Sequence, residues 1–447
     1  MYSPSAPALS PSALSATHPA AGRHPNHQDG AISPGDIAVG VVVGRASEYF
    51  DFFVYGIASV LVFPQLFFPD LAPLQGTLMS FMLLALGFIA RPIGTLAGMA
   101  MQRRYGRGVK LTTSLLLMGS ATCAMAVLPG TAQAGALAVV LLALCRGVQG
   151  LAVGASWDGL PSLLSIHAPA DRRGWFAMIG QLGAPLGLGM ATALYAVLVT
   201  QLSPADFLDF GWRYPFFAAF GINVVALFAR LQLVMGDDYS RALQASELEP
   251  VHSRELRGGQ FGNVFLGAFA ALASFALVHL VTVFPLSWLH LGEPRAVDEL
   301  LWLQTGGAVL AAFAMLTSGL LADRIGRRTT LGASAVAIAM FGMVAPFLLG
   351  GGSGGQNLYF MLGFVLFGLS YGQAAGAMAN LFEPRLRYLG AALSADMAWL
   401  LGAGFAPLVT LMLSTILGLG ALSFYMLSGA AATLLALYVG RRVNAGN

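Results

Sequence analysis

Charge is what this chain has least of. Asp, Glu, Lys and Arg make up 10% of its residues, and Lys110 is the one lysine among 23 cationic side chains. Soluble proteins carry about a quarter charged residues. With 57% hydrophobic residues over 447 positions, a water-soluble fold is excluded, and lipid must be the solvent for much of the surface. The net charge of +3 is small, so its placement says more than its size. Cysteine is scarce too. Cys123 and Cys145 exclude a disulfide framework, and neither has a metal-ligand neighbourhood, so both read as small buried hydrophobes. Zinc-type His/Glu helix motifs, Ser-centred nucleophile elbows and phosphate-cradling glycine loops are missing, which argues against an enzyme and implies no cofactor and no metal. Residues 1–35 hold few large apolar side chains and lack the apolar run of a secretory signal; they are expected to form a disordered cytoplasmic tail.

What the chain does have is a succession of apolar segments from Ile37 onward. Twelve spans are expected, at 37–64, 75–101, 111–129, 136–166, 175–201, 213–234, 261–290, 298–321, 330–350, 357–382, 389–415 and 419–440. Each can cross roughly 30 Å of hydrocarbon at 1.5 Å per helical residue. A polar stretch at 235–260 divides them six and six. The expected domains are therefore a bundle at 36–234, a cytoplasmic linker at 235–260, a second bundle at 261–441 and a short tail at 442–447. The linker is too short to be the output domain of a membrane sensor.

The halves also repeat a motif. Arg103-Arg104-Tyr105-Gly106-Arg107 is answered by Asp323-Arg324-Ile325-Gly326-Arg327-Arg328, about 220 positions later, as in a duplicated transporter. Asp171-Arg172-Arg173-Gly174 and Pro384-Arg385-Leu386-Arg387 form a weaker pair. Loop cations gather after the even-numbered spans, which places both termini in the cytoplasm. That regular spacing makes the basic loops topology signals rather than a nucleic-acid surface.

Charges within the spans need a partner or a function, because each costs about 2.5–3.5 kcal/mol near the bilayer centre. The first span holds Arg45, Glu48 and Asp51. Glu48, Asp51 and Tyr55 fall within roughly a 60° arc of a helix. Repulsion between two acids at i, i+3 is a setting in which one carboxyl takes and releases a proton; the alternative is that Arg45 neutralises Glu48 as a fixed pair. The fourth span carries Arg146 near the midplane, with Gln149, Ser156 and Trp157 on its side. Asp158 points about 120° away, toward a neighbouring helix or the inner mouth. Arg146 can hold a carboxylate by a two-point contact or neutralise the acids of span one. Arg91, beside Pro92 in span two, serves equally as a packing or a substrate residue. His279, Gln304, Tyr371, Gln373, Asn380 and Asp396 add polarity in the second half, and Asp396 has no obvious local cation.

Several strings resemble the major facilitator superfamily and, within it, the metabolite:proton symporter family. They are Glu48-Tyr49-Phe50-Asp51-Phe52-Phe53-Val54-Tyr55-Gly56, Ala90-Arg91-Pro92-Ile93-Gly94, Arg146-Gly147-Val148-Gln149-Gly150, Gln181-Leu182-Gly183-Ala184-Pro185-Leu186-Gly187, Gly211-Trp212-Arg213-Tyr214-Pro215-Phe216 and 381–390. The resemblance implies an all-α integral membrane fold, with twelve transmembrane helices in two pseudo-symmetric six-helix bundles. It also implies a central cavity lined by spans one, four, seven and ten, which would bring Asp51, Arg146, His279 and Tyr371 together. Proton-driven uptake of an organic acid or zwitterion follows from it, by a carrier that commonly works as a monomer.

Three departures mark this chain. Arg103 replaces the aspartate of the first basic loop, Ser156 replaces an acid that reappears as Asp158, and Asp396 stands where relatives often carry Asn. The expected substrate-binding set is Arg146, Arg91, Tyr55, Gln149, Gln181 and Tyr371, and the proton-coupling set is Asp51, Glu48 and Asp158. The gating set is Arg104, Arg107, Asp323, Arg324, Arg327, Arg328 and Asp396. The alternative function is proton-antiport export, which the Gly183-to-Gly187 string resembles less well.

Overall fold

The computed structural model describes residues 34–157, 164, 168–169, 171–236, 250–257, 260–292, 295–379 and 381–445. The expected tail at 1–35, most of the linker, Asp158 and Asn380 therefore lie largely or wholly outside the described residues. Among those described, every regular element is helical. The first half contributes α1 (Pro34–Leu61), α2 (Pro73–Tyr105), α3 (Arg107–Ala126), α4 (Ala136–Ala155), α5 (Arg173–Gln201) and α6 (Tyr214–Val234). The second contributes α7 (in pieces Phe261–Ala270, Leu272–Val281 and Val283–Gly292), α8 (Val297–Ile325), α9 (Arg327–Leu349), α10 (Gly352–Ala379), α11 (Arg387–Leu417) and α12 (Gly420–Ala445).

Eleven of these segments are long and apolar enough to cross a membrane. The remaining helix, α1, has 28 residues but carries Arg45, Glu48 and Asp51. Large side chains such as Phe347, 79% exposed, and Phe424, 69% exposed, cover the outside, where only lipid would tolerate them.

The basic repeats make the same turn twice. Gly106 and Gly326 adopt φ of 85° and 87°. Each sends its N–H back to a helical carbonyl, Gln102 or Ala322, at 3.0 Å. Glycine takes this left-handed backbone without a Cβ clash, and the next helix starts one residue later.

Helix pairing repeats as well. In the first half α1 packs with α5 and α6, α2 with α4, and α3 with α4 and α6. In the second α7 packs with α11 and α12, α8 with α10, and α9 with α10 and α12. Adding six to each number in the first set yields the second. Across the halves α5 meets α8 and α2 meets α11, a pair of contacts that the same shift exchanges.

The helices that border the centre are interrupted, and the freed backbone groups find partners inside the protein. The Thr282 carbonyl at a break in α7 accepts from Gln304 Nε2 at 2.8 Å. A π-helical turn, Trp399–Gly404, widens α11. There the Gly402 carbonyl accepts from the Tyr425 hydroxyl and the Ala403 carbonyl faces His279 Nδ1 at 2.6 Å. One expectation is corrected: α4 ends at Ala155 with Ser156 as its C-cap, so Ser156 and Trp157 follow this helix rather than sharing its face with Arg146.

Candidate functional site

Close helix packing builds the site. Backbones of α2 and α4 approach so nearly that a Cβ at Gly150 would stand 2.2 Å from the Gly87 carbonyl oxygen, and one at Gly154 2.1 Å from that of Arg91. Small residues permit such approach between membrane helices. Gly87 also leaves room for the Arg146 side chain, whose Nε would lie 2.5 Å from an added Cβ.

Beside this seam lies a cavity containing about 500 Å³ of space between atoms, open solvent included. Its lining comprises Arg45, Glu48, Tyr49, Asp51 and Phe52 from α1, Gly87, Phe88 and Arg91 from α2, Arg146, Gln149, Gly150 and Val153 from α4, and Trp399 from α11. Five residues singled out in the sequence, Glu48, Asp51, Arg91, Arg146 and Gln149, thus converge on one space.

Their surroundings differ. Glu48 is fully paired: Oε2 takes Arg45 Nη1 and Oε1 takes Arg230 Nη1, each at 2.8 Å. Ser156 Oγ also donates to Oε1 at 3.3 Å. Asp51 is 1% exposed, and its Oδ2 accepts from Asn223 Nδ2 at 2.6 Å. Its Oδ1 has no hydrogen-bond partner.

Arg146 is 4% exposed. Its Nη1 donates to Gln149 Oε1 at 2.5 Å, and Nη2 donates to the Leu84 carbonyl at 3.2 Å. The guanidinium lies 4.1 Å from the Tyr55 ring centre, a cation–π contact. Among the described residues no acid comes within 4.0 Å of it. Asp51 and Arg146 share the cavity and attract each other across it without forming a direct ion pair.

Two cavity expectations need correcting. The resemblance implied that α7 and α10 line the space, but His279 and Tyr371 stand one layer back. The Phe52 ring stacks on His279 at 5.1 Å, and the Tyr371 hydroxyl meets that of Tyr49. Aromatic rings of α1 thus screen both. Tyr55 lies beneath Arg146, and Gln181 is buried between the two helical pieces of α5, Arg173–Ile179 and Gly183–Gln201; neither lines the cavity. Asp396 does have a cation: Arg91 Nε at 3.2 Å, with Thr95 Oγ1 donating to its other oxygen at 2.5 Å.

The gating set divides. Asp323 accepts from the backbone N–H groups of Gly174, at 2.6 Å, and Trp175, at 3.2 and 3.3 Å. It therefore ties α8 to the N-terminus of α5, where a carboxylate is favoured. Its counterpart Arg103 instead donates to the Val251 carbonyl at 2.8 Å. Arg104 lies against the Tyr105 ring, Arg107 and Arg327 are half-buried, and Arg324 and Arg328 are exposed.

Sequence reasoning missed four contributors. Arg230 and Asn223 sit in span six, where their polarity alone was a signal. Trp399 carried none. Lys110, grouped with the loop cations, is buried, donating to Gln102 Oε1 at 2.6 Å, to the Trp157 carbonyl and to the Tyr388 hydroxyl at 3.2 Å.

Comparison with known proteins agrees with this architecture. The family described as "Sugar (and other) transporter" matches residues 37–233 and 296–441. An inner membrane metabolite transport protein of Escherichia coli, YhjE, is 34% identical over 412 residues, covering 90% of this chain and 92% of the relative. The shikimate transporter of the same organism is 28% identical over 394 residues, covering 85% and 87%. A solved D-xylose-proton symporter superposes with a TM-score of 0.69 at 17% identity, covering 91% of this chain and 97% of that structure. At that identity the likeness concerns the fold.

Proposed function

Because the chain belongs to the sugar (and other) transporter family of the major facilitator superfamily, we propose that it takes up a small organic acid or zwitterionic metabolite together with protons. The family and the relatives above are membrane transporters, not enzymes, and this chain is a multi-pass membrane transporter. The finer reading rests on one observation: Arg146, a buried guanidinium with no acid within 4.0 Å among the described residues, and Asp51, with one carboxylate oxygen unpartnered, line the same cavity.

A substrate carboxylate on Arg146 forms the charge-assisted contact that the protein leaves unmade. Asp51 carries the proton. Glu48, held by two guanidiniums, is the fixed member of the pair. Arg91, Gln149, Tyr55, Gln181 and Tyr371 support the binding side, and Asp323 with the basic turns gates the face that carries them. Protonation of Asp51 removes a buried charge and lets the loaded carrier reorient between its two halves. The carrier works as a monomer in a bacterial inner membrane, with both termini cytoplasmic as the Arg and Lys placement requires. The name of the shikimate transporter supports an organic acid as cargo.

Proteoliposomes given an inward proton gradient test this with radiolabelled shikimate, benzoate, succinate and proline. Gradient-dependent accumulation of one of them, lost on adding a protonophore, is expected. Accumulation that survives collapse of the gradient would refute symport. Proton-driven movement in the opposite direction would favour the exporter.

A further inference from the structure

We propose that the cavity selects a flat, ring-bearing monocarboxylate, with Trp399 as the specificity-determining residue that receives the ring. This rests on the reading above, in which Arg146 holds the carboxylate.

Four of the lining side chains are aromatic, and they form one wall. Trp399 and Phe88 stack at 5.7 Å with 16° between their planes. Phe52 meets Phe88 at 5.2 Å and Trp399 at 5.3 Å, and Tyr49 meets Trp399 at 5.9 Å. The wall is joined to the cations. Arg91 stands 5.4 Å from the Trp399 ring and Arg146 5.8 Å from Phe88. Aromatic and guanidinium planes both present flat stacking surfaces to a ring.

Trp399 differs from the other three in origin. Among the described residues it is the one lining residue from the second half, and it opens the π-helical turn of α11. Such turns recur at functional sites because they displace a side chain from regular helical register.

Charge fixes the valence. Arg45 and Arg230 pair with Glu48, and Arg91 pairs with Asp396. With all of them ionised, Arg45, Arg91, Arg146 and Arg230 stand against the three carboxylates Glu48, Asp51 and Asp396, an excess of one positive charge that a monoanion balances better than a dicarboxylate. The same placement disfavours a quaternary ammonium in the aromatic wall, since guanidiniums already stand over Trp399 and Phe88 and would repel it.

The test is isothermal titration calorimetry on the purified full-length chain in detergent, with benzoate, propionate, phthalate, glycine betaine and benzyl alcohol as probes. Benzoate is expected to bind about tenfold more tightly than propionate or phthalate, with no binding of betaine or benzyl alcohol. Trp399→Leu should bring benzoate down to the level of propionate, whereas Trp399→Phe should keep most of the preference. Phe88→Leu, which removes the stacked partner, should lower it by a smaller factor and serves if Trp399→Leu does not fold. Equal binding of benzoate and propionate by the native chain would overturn the ring platform while leaving the carboxylate reading intact, as would a preference unchanged in the Trp399→Leu and Phe88→Leu chains. Betaine binding above benzoate would overturn the assigned charge. Binding of no carboxylate, or benzoate binding unaltered by Arg146→Ala, would overturn both readings together.

Discussion

Arg91 and Asp396 meet at 3.2 Å across the contact between α2 and α11, joining two halves of the chain through a buried ion pair. Thr95 completes the group from the same face of α2, and Trp399 lies one turn beyond Asp396 with its ring under Arg91. The pair therefore links the half that holds most of the cavity to Trp399, by which, among the described residues, the other half enters it.

Removing one partner of such a pair strands the other. Asp396→Asn should destabilise the protein by about 3–5 kcal/mol, and Arg91→Gln should do so comparably. The double variant Arg91→Gln/Asp396→Asn should recover much of the loss, because no buried charge then lacks a partner. Thermal unfolding in detergent measures all three; additive losses in the double variant would mean the pair is not energetically coupled.

Arg146→Ala should insert normally and transport poorly. Losing a charge-assisted contact costs about 1.5–3 kcal/mol, or roughly a 10- to 100-fold fall in uptake efficiency. Uptake assays normalised to membrane protein give the result, and wild-type rates would remove Arg146 from the site.

A milder change probes its placement. Gly87→Ala puts a Cβ 2.5 Å from the Arg146 Nε, whereas a Cβ at Gly147 meets nothing within 4 Å. Gly87→Ala should therefore raise the KM for transport several-fold, with Gly147→Ala close to the native chain. Equal effects from both would mean that the room at Gly87 is not what positions Arg146.

Asp323→Ala should loosen the face that carries the basic turns. It removes the acceptor for the Gly174 and Trp175 N–H groups, a loss of about 1–3 kcal/mol, and Arg103 supplies no equivalent acid in the first half. In a chain with Cys123 and Cys145 replaced by Ser, a cysteine introduced as Val153→Cys in the cavity lining should react several-fold faster with an impermeant maleimide from that face. An unchanged rate would show that Asp323 does not hold it closed.

Much of this was legible before any coordinates. Hydropathy located the spans, the duplicated basic strings located the repeated glycine turns, and in-membrane charge identified Glu48, Asp51, Arg91 and Arg146. Of their pairing only the local Arg45–Glu48 contact was legible; the rest depends on distant segments, since Arg230 reaches Glu48 across 182 positions and Asp396 reaches Arg91 across 305. His279 and Tyr371 lie behind aromatic rings because side-chain stacking, which helix periodicity does not encode, decides which layer faces the cavity. The π-helical turn that delivers Trp399 has no marker in local composition that separates it from an ordinary glycine-containing membrane helix.

The central claim is that Asp51 carries the coupling proton while Arg146 holds the cargo. Proteoliposomes bearing Asp51→Asn, loaded with whichever carboxylate the native chain accumulates, test it most directly. The account predicts that this variant still exchanges labelled for unlabelled substrate at equilibrium but no longer accumulates it under an inward proton gradient. Gradient-driven accumulation at the native level in Asp51→Asn would contradict it.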